Sequence, residues 1–223
     1  MIDQERHIVF AHGWAFGDSF WEPLVQSLKL SPSVSNRFLS RPYFESDQGH
    51  GGWNGTQLEV PWIGVGHSFG FRRLTQLGLQ NCLGLISING FWDFSHPHGA
   101  SPRVVRRMLK VFDRDPEKVL KEFHRNCGID HSRIDSGLAL ENLRVDLESL
   151  LIENLSEPFP VARLNSVPIA GLAGGRDQII PLAQAQAQFE NLHIHPQAEH
   201  SLGLDYADWC ATRIHELWKA WTT

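Results

Sequence analysis

In the stretch Gly66-His67-Ser68-Phe69-Gly70 a serine sits between two glycines. An apolar run precedes it, Ile63 and Val65 after Pro61-Trp62, and the spacing of Leu74 and Leu77 beyond it is helical. A side chain at the middle of so sharp a strand-to-helix turn takes a strained backbone conformation. It needs small neighbours two residues away, and its hydroxyl is carried out past the strand's C-terminal end. That geometry suits a nucleophile, although G-x-S-x-G also arises by chance in a chain with 19 glycines. A serine hydroxyl is a weak nucleophile near neutral pH, so it needs a base, and the base needs an acid to orient it. Asp177, two residues past Gly174-Gly175, and His200, in Ala198-Glu199-His200, offer the pair in the chain order expected of such a sheet enzyme. Asp93 is a second candidate for the acid. His193 and His195 are poor candidates for the base, because they fall within a strand rather than beyond its end.

The oxygen that turns negative during acyl transfer needs backbone N–H donors. Phe69, directly after the serine, supplies one. Trp14, in the turn Ala11-His12-Gly13-Trp14 that follows the first strand, supplies the other, with Gly13 allowing close approach and His12 bracing the turn.

These loops must be held by a framework, and the hydrophobic pattern provides one. Strands are expected at 7–12, 34–40, 61–67, 83–91, 166–175 and around 191–197, with helices at 20–28, after Ser68, at 182–190 and at the C-terminus. Such alternation predicts an α/β protein whose mostly parallel sheet is covered by helices on both faces. Residues 41–60 read as a long loop. From residue 95 to 160 no strand pattern occurs. Instead Val104, Val105, Met108, Leu109 and Phe112 share one helical face, Val119, Leu120 and Phe123 a second, and Leu143, Leu147, Leu150 and Leu151 a third. The expected organisation is therefore a core of residues 1–94 and 161–223 with a helical cap at 95–160.

Composition narrows the function classes. A chain of 223 residues with 42% apolar and 20% charged side chains can bury one sizeable core. A net charge of −5 argues against general nucleic-acid binding. No run approaches the roughly 18 apolar residues of a membrane helix. The charged N-terminal residues do not resemble a secretion signal, and Cys82, Cys127 and Cys210 are few and far apart, so a reducing, cytoplasmic setting is expected. No third ligand accompanies His193 and His195, and no G-x-G-x-x-G follows a strand, so neither a metal nor any other cofactor is expected.

Taken together, His12-Gly13-Trp14 with Trp21, the serine turn at 66–70, Gly174-Gly175-Arg176-Asp177 and Glu199-His200 resemble the α/β-hydrolase superfamily over nearly the whole chain. Within it, the His-Gly-Trp turn followed by Trp21, the short cap and the small size are similar to the pimeloyl-ACP methyl ester esterases of biotin synthesis. That resemblance implies hydrolysis of a methyl ester on an acyl chain tethered to acyl carrier protein, with Ser68 as nucleophile, His200 as base, Asp177 as orienter, and Trp14 and Phe69 as oxyanion donors. A general small-ester or C–C bond hydrolase, or a catalytically silent scaffold of the same fold, are the alternatives. Phe71 departs from the superfamily's usual small residue after the elbow, so the helix there must pack differently, and the usual helix before the nucleophile strand is missing from 45–60.

One stretch of the expected cap is basic. Between Ser101 and Arg125 eight basic side chains face four acidic ones, a net of +4 in a chain of −5. Arg103, Arg107, Lys110 and Arg114 recur every three or four residues opposite the apolar stripe, and Arg106 lies beside them. They read either as an ordinary solvated face or as a docking site for an acidic carrier protein.

Overall fold

A computed structural model of the chain describes residues 5–41, 43, 58–94, 96–130, 139–152 and 167–222. Six parallel strands form one sheet in the order β2-β1-β3-β4-β5-β6: β1 Arg6–Ala11, β2 Val34–Phe38, β3 Trp62–His67, β4 Cys82–Ile88, β5 Ile169–Gly174 and β6 Leu192–His195. Parallel pairing points every C-terminal strand end to the same edge, where the loops meet. The helices are α1 Glu22–Leu28, α2 Phe69–Thr75, α3 Pro102–Phe112, α4 Pro116–Asn126, α5 Leu140–Ile152, α6 Leu182–Gln188, α7 Leu202–Asp205 and α8 Ala207–Thr222. None of the described helices is long and apolar enough to cross a membrane.

Alternation along the strands divides the core in two. Ile8 and Phe10 of β1 pack on one face with Leu24 and Leu28 of α1 and Cys210, Ile214 and Leu217 of α8. Val9 and Ala11 point the other way, into a cluster with Phe71 and Leu74 of α2, Leu85 and Phe189. Each fully buried aliphatic or aromatic side chain here contributes about 1.5–3 kcal/mol. β3 is buried along its whole length, as a central strand with both faces covered must be.

The three helices α3–α5 stand between β4 and β5 in the chain. Two of them start on the residues that helix ends favour. Ser101 and Asp115 accept the N–H groups of Arg103 and Lys118, and a proline follows each cap. Val105 and Phe112 are buried as the stripe requires, but Val104 is half exposed. Consecutive helix residues point about 100° apart, so turning Val105 inward turns Val104 sideways. The strand expected over 83–91 ends at Ile88, because Asn89 adopts φ 47° and turns the chain. α2 begins directly at the serine and stops before Leu77. Most of the expected loop over 41–60, the missing helix at 45–60, and the junctions expected at 94/95 and 160/161 fall on residues outside those described.

The turn from β3 into α2 leaves no room for side chains at its glycines. A Cβ on Gly66 would lie 2.3 Å from the Cα of Phe71, and one on Gly70 would lie 2.0 Å from the carbonyl oxygen of Ala11 and 2.4 Å from that of His12. Phe71 itself fits because Gly90 leaves room beside it, where a Cβ would come within 2.7 Å, and because Phe189 and Trp92 receive its ring at 5.5 and 6.3 Å. Gly70→Ala should therefore destabilise the fold by at least about 3 kcal/mol, whereas Gly78→Ala, with open space around it, should change stability by no more than about 0.5 kcal/mol. Urea unfolding of the two variants checks this; a neutral Gly70→Ala would mean that α2 can lift off the end of β1.

Candidate active site

Ser68 occupies the turn with φ 51° and ψ −125°, a conformation that L side chains rarely adopt. Its N–H donates to the carbonyl of Ile88 at 3.1 Å, which ties the strained residue to the end of the neighbouring strand. The hydroxyl lies 3.0 Å from Nε2 of His200, and Nδ1 of His200 lies 2.8 Å from Oδ2 of Asp177. A carboxylate only accepts, so the imidazole carries its proton on Nδ1 and leaves the Nε2 lone pair facing the serine hydroxyl. The other carboxylate oxygen of Asp177 accepts the N–H groups of Ile179 and Ile180, at 2.7 and 3.0 Å, which fixes the acid's orientation. All three side chains are buried. This arrangement can transfer the Ser68 proton to His200 while the oxygen attacks an electrophile.

Asp93 is elsewhere. Its main chain is held by the side-chain amides of Gln184 and Gln188, and its carboxylate faces Arg72, whose pKa burial pushes down to about 10 against that attraction. His193 and His195 lie in the edge strand β6, and no group of three or more potential metal ligands occurs among the described residues.

Trp14, Ser68 and Phe69 open onto one cavity of about 430 Å³. Its walls are mainly apolar, with Phe91, Val105, Met108, Phe123, Leu147 and Ile179 from the core and all three inserted helices, while Arg107, Lys118, Glu122, Asn126 and Gln178 bring polar groups. Among the described residues, the backbone N–H groups of Trp14 and Phe69 have no hydrogen-bond partner. The indole of Trp14 donates to the carbonyl of Leu143 in α5 at 2.7 Å, so one residue joins the turn to the inserted helices.

His12 braces that turn. Its Nδ1 donates to the carbonyl of Gly13 at 3.0 Å, and its Nε2 accepts the N–H of Arg41 at 3.1 Å. Arg41 in turn grips Asp146 of α5 with two guanidinium bonds at 2.9 and 3.1 Å, and Tyr43 donates to the same carboxylate. Burial, and then the nearby charge of Arg73, push the pKa of His12 down to about 3.

Two residues around the site escape sequence reasoning. His67 donates from Nε2 to the carbonyl of His200, and Asn89 donates to the carbonyls of Glu199 and His200. The available signals were a histidine inside the serine turn and an Asn-Gly pair where a strand should continue. The basic residues Arg103, Arg106, Arg107 and Lys110 on α3, and Arg114 just beyond it, are all exposed, and Arg107 also lines the cavity. Of the acids nearby, Asp113 is bonded to Arg144 and Glu117 to Lys121.

No family model matches the sequence, and no curated protein matches it. Solved structures do resemble it. An esterase (EaEST) from Exiguobacterium antarcticum is 17% identical with a TM-score of 0.73, over 96% of this chain and 92% of that one. BioG from Haemophilus influenzae is 14% identical with a TM-score of 0.65, over 94% and 95%. The peroxisomal alpha-beta-hydrolase Lpx1 from Saccharomyces cerevisiae is 16% identical with a TM-score of 0.60, over 99% and 79%. At such identities the likeness is one of fold, and the chain has the α/β-hydrolase fold.

The buried histidines give the site a pH signature. Burial, and then the charge of His200, hold His67 well below the ordinary imidazole range, in the same direction as His12. Above pH 6.5 these rings are neutral both folded and unfolded, and their contribution to stability is complete. As pH falls below 6.5 the unfolded chain takes up protons that the folded chain refuses, so stability drops until the folded pKa is reached. For His12, between 6.5 and about 3, the loss from pH 7 to pH 5 comes to about 2 kcal/mol. Urea unfolding at the two pH values should show His12→Gln losing about 2 kcal/mol less than the parent protein. An equal loss in both would mean that folded His12 accepts a proton.

Proposed function

We propose that this protein is a serine carboxylesterase. The observation that carries the reading is the continuous hydrogen-bonded chain from Ser68 through His200 to Asp177, at 3.0 and 2.8 Å. In the first half-reaction His200 takes the Ser68 proton as Oγ bonds to the ester carbonyl. The carbonyl oxygen becomes negative and is met by the N–H groups of Trp14 and Phe69. His200 then passes its proton to the departing alcohol, leaving an acyl-serine. Water repeats the sequence: His200 removes its proton, hydroxide attacks the acyl carbon, and the acid leaves as Ser68 recovers its proton. Asp177 keeps the imidazole in the tautomer that the first step requires and stabilises the imidazolium that forms. A silent scaffold is less well supported, because all three side chains are present and mutually bonded.

The substrate we propose is an acyl chain with a methyl ester at one end and acyl carrier protein at the other, the pimeloyl-ACP methyl ester of biotin synthesis. The sequence resemblance supports it, and so does an apolar cavity beside a basic helix, since Arg103, Arg106, Arg107, Lys110 and Arg114 suit an acidic carrier. A small free ester is the second reading, favoured by a cavity of about 430 Å³ that could hold one without a carrier. A reducing, cytoplasmic location belongs to the same proposal and accords with the free thiols of Cys82, Cys127 and Cys210.

A fluorophosphonate should label Ser68, as peptide mass spectrometry can locate. Ser68→Ala should lower turnover of a p-nitrophenyl ester by about 10⁴–10⁶, and Asp177→Asn by up to about 10⁴. Full activity in Ser68→Ala, or a larger loss in Asp93→Asn than in Asp177→Asn, would overturn the assignment.

Carrier docking has its own test. Reversing Arg103, Arg106 and Arg107 to Glu should lower kcat/KM for a carrier-bound methyl ester by about tenfold or more while barely changing hydrolysis of a small free ester. The loss should shrink as salt is raised. Equal effects on both substrates would remove the docking role and leave the esterase.

A further inference from the structure

We infer that His67 and Asn89 are positioning residues that hold His200 from behind, through its backbone carbonyl. His200 lies in the turn after β6, a four-residue strand at the edge of the sheet with one neighbour only. Sheet pairing alone gives such a turn little rigidity. The carbonyl of His200 accepts Nε2–H of His67 at 3.0 Å and Nδ2–H of Asn89 at 3.0 Å. His67 is the last residue of β3, and Asn89 directly follows β4. These are the two central strands, so the base is fastened to the most rigid part of the sheet rather than to its own strand.

The attachment has two points. Ser68 meets the tip of the His200 ring at Nε2, while the residue before it, His67, meets the His200 backbone. One dipeptide thus sets both ends of the base and leaves little freedom for the ring to swing off the nucleophile. Asn89 extends the link to the acid. Its Nδ2 also reaches the carbonyl of Glu199 at 2.8 Å, and its Oδ1 accepts the N–H of Gly174 at 2.7 Å, three residues before Asp177. A Cβ on Gly174 would lie 2.5 and 2.6 Å from the carbonyl oxygens of Ala198 and Glu199, so the acid-bearing and base-bearing turns are in direct backbone contact there. His67 fits the role in its own packing: the ring is buried and stacked on Phe20 at 4.3 Å between centroids. Because a carbonyl only accepts, the His67 proton must be on Nε2. Asn89 is buried too, and its φ of 47° is one that Asn tolerates better than most residues.

The test uses His67→Leu, which removes the donor; His67→Gln, which returns an amide N–H at similar reach; and Asn89→Gly, which removes the side chain yet accepts a positive φ. Three readouts are taken: Tm, turnover of a p-nitrophenyl ester, and the strongly downfield proton resonance of the His200 Nδ1–H, assigned by its loss in His200→Gln. In His67→Leu and Asn89→Gly the resonance should broaden or exchange faster with water, and kcat should fall about 10–100-fold with KM changed by no more than about twofold. His67→Gln should recover the resonance and most of the rate. If both deletion variants keep the resonance and the parent kcat, or if His67→Gln falls as far as His67→Leu, the clamp is overturned. Where His67→Leu melts too low to assay, Asn89→Gly decides, since it removes the other bond to the same carbonyl. The inference rests on the esterase reading for its kinetic readout alone: a parent protein without turnover would overturn that reading, while the resonance would still decide on the clamp.

Discussion

The close approach of α2 to the end of β1 is the constraint from which the site follows. With Gly70 pressed on the carbonyls of Ala11 and His12, the serine turn and the turn after β1 become neighbours, and no side chain fits between them. Trp14 and Phe69 are brought to one cavity by that contact, although 55 positions separate them in the chain. The same contact leaves Ser68 at φ 51°, because the chain must reverse from strand to helix within a single residue. A backbone this strained persists only where its surroundings overdetermine it. Here the bond to Ile88, the bulk of Phe71 and the bond to His200 supply that support.

Electrostatics around the turn are arranged by exclusion of water rather than by added charge. His12 and His67 are buried, and burial pushes the pKa of each down, so each donates one hydrogen bond without bringing a charge into the core. A protonated His67 would set a positive charge against His200, whose carbonyl it bonds and whose ring lies 4.8 Å away. Of the charged groups beside His12, Asp18 lies 3.9 Å from its Nε2, and Asp146 is bonded by two guanidinium contacts to the half-buried Arg41. Asp177 is the carboxylate that meets His200, and its second oxygen is already occupied by backbone N–H groups.

How much of this could be read from sequence depends on whether a residue acts through its own side chain at a loop or through someone else's backbone. Ser68, Asp177 and His200 announce themselves because each is a reactive type just past an apolar strand, and parallel strands bring such positions to one edge. The alternation of Ile8, Val9, Phe10 and Ala11 between two core clusters is equally visible, since period two is a property of the sequence. His67 and Asn89 are not visible in this way. Their partners are carbonyl oxygens more than 100 residues away, and every residue type carries a carbonyl. The bond from the Trp14 indole to Leu143 is hidden for the same reason. Val104 was misjudged because hydrophobicity marks a stripe only to within one residue, and the residue beside a buried position points sideways.

The inserted helices are fastened unequally, and this bears on how a substrate would reach Ser68. α5 is tied to the core by polar bonds that converge on the turn after β1: the Trp14 indole to Leu143, and Arg41 with Tyr43 to Asp146. α3 packs chiefly on α4 and α5 and is joined to α5 by the link from Asp113 to Arg144, a pair with both partners exposed that contributes about 1 kcal/mol at most. The wall of the cavity that carries Trp14 and Leu147 is thus fastened by directional polar bonds, and the wall that carries Val105, Arg107 and Met108 is held mainly by apolar packing. Apolar packing is non-directional, so it tolerates small shifts of a helix far better than a bidentate ion pair does. α3 can therefore shift slightly without disturbing the turn that carries Trp14. The division sets a wall of the cavity fastened by directional polar bonds against one held mainly by packing.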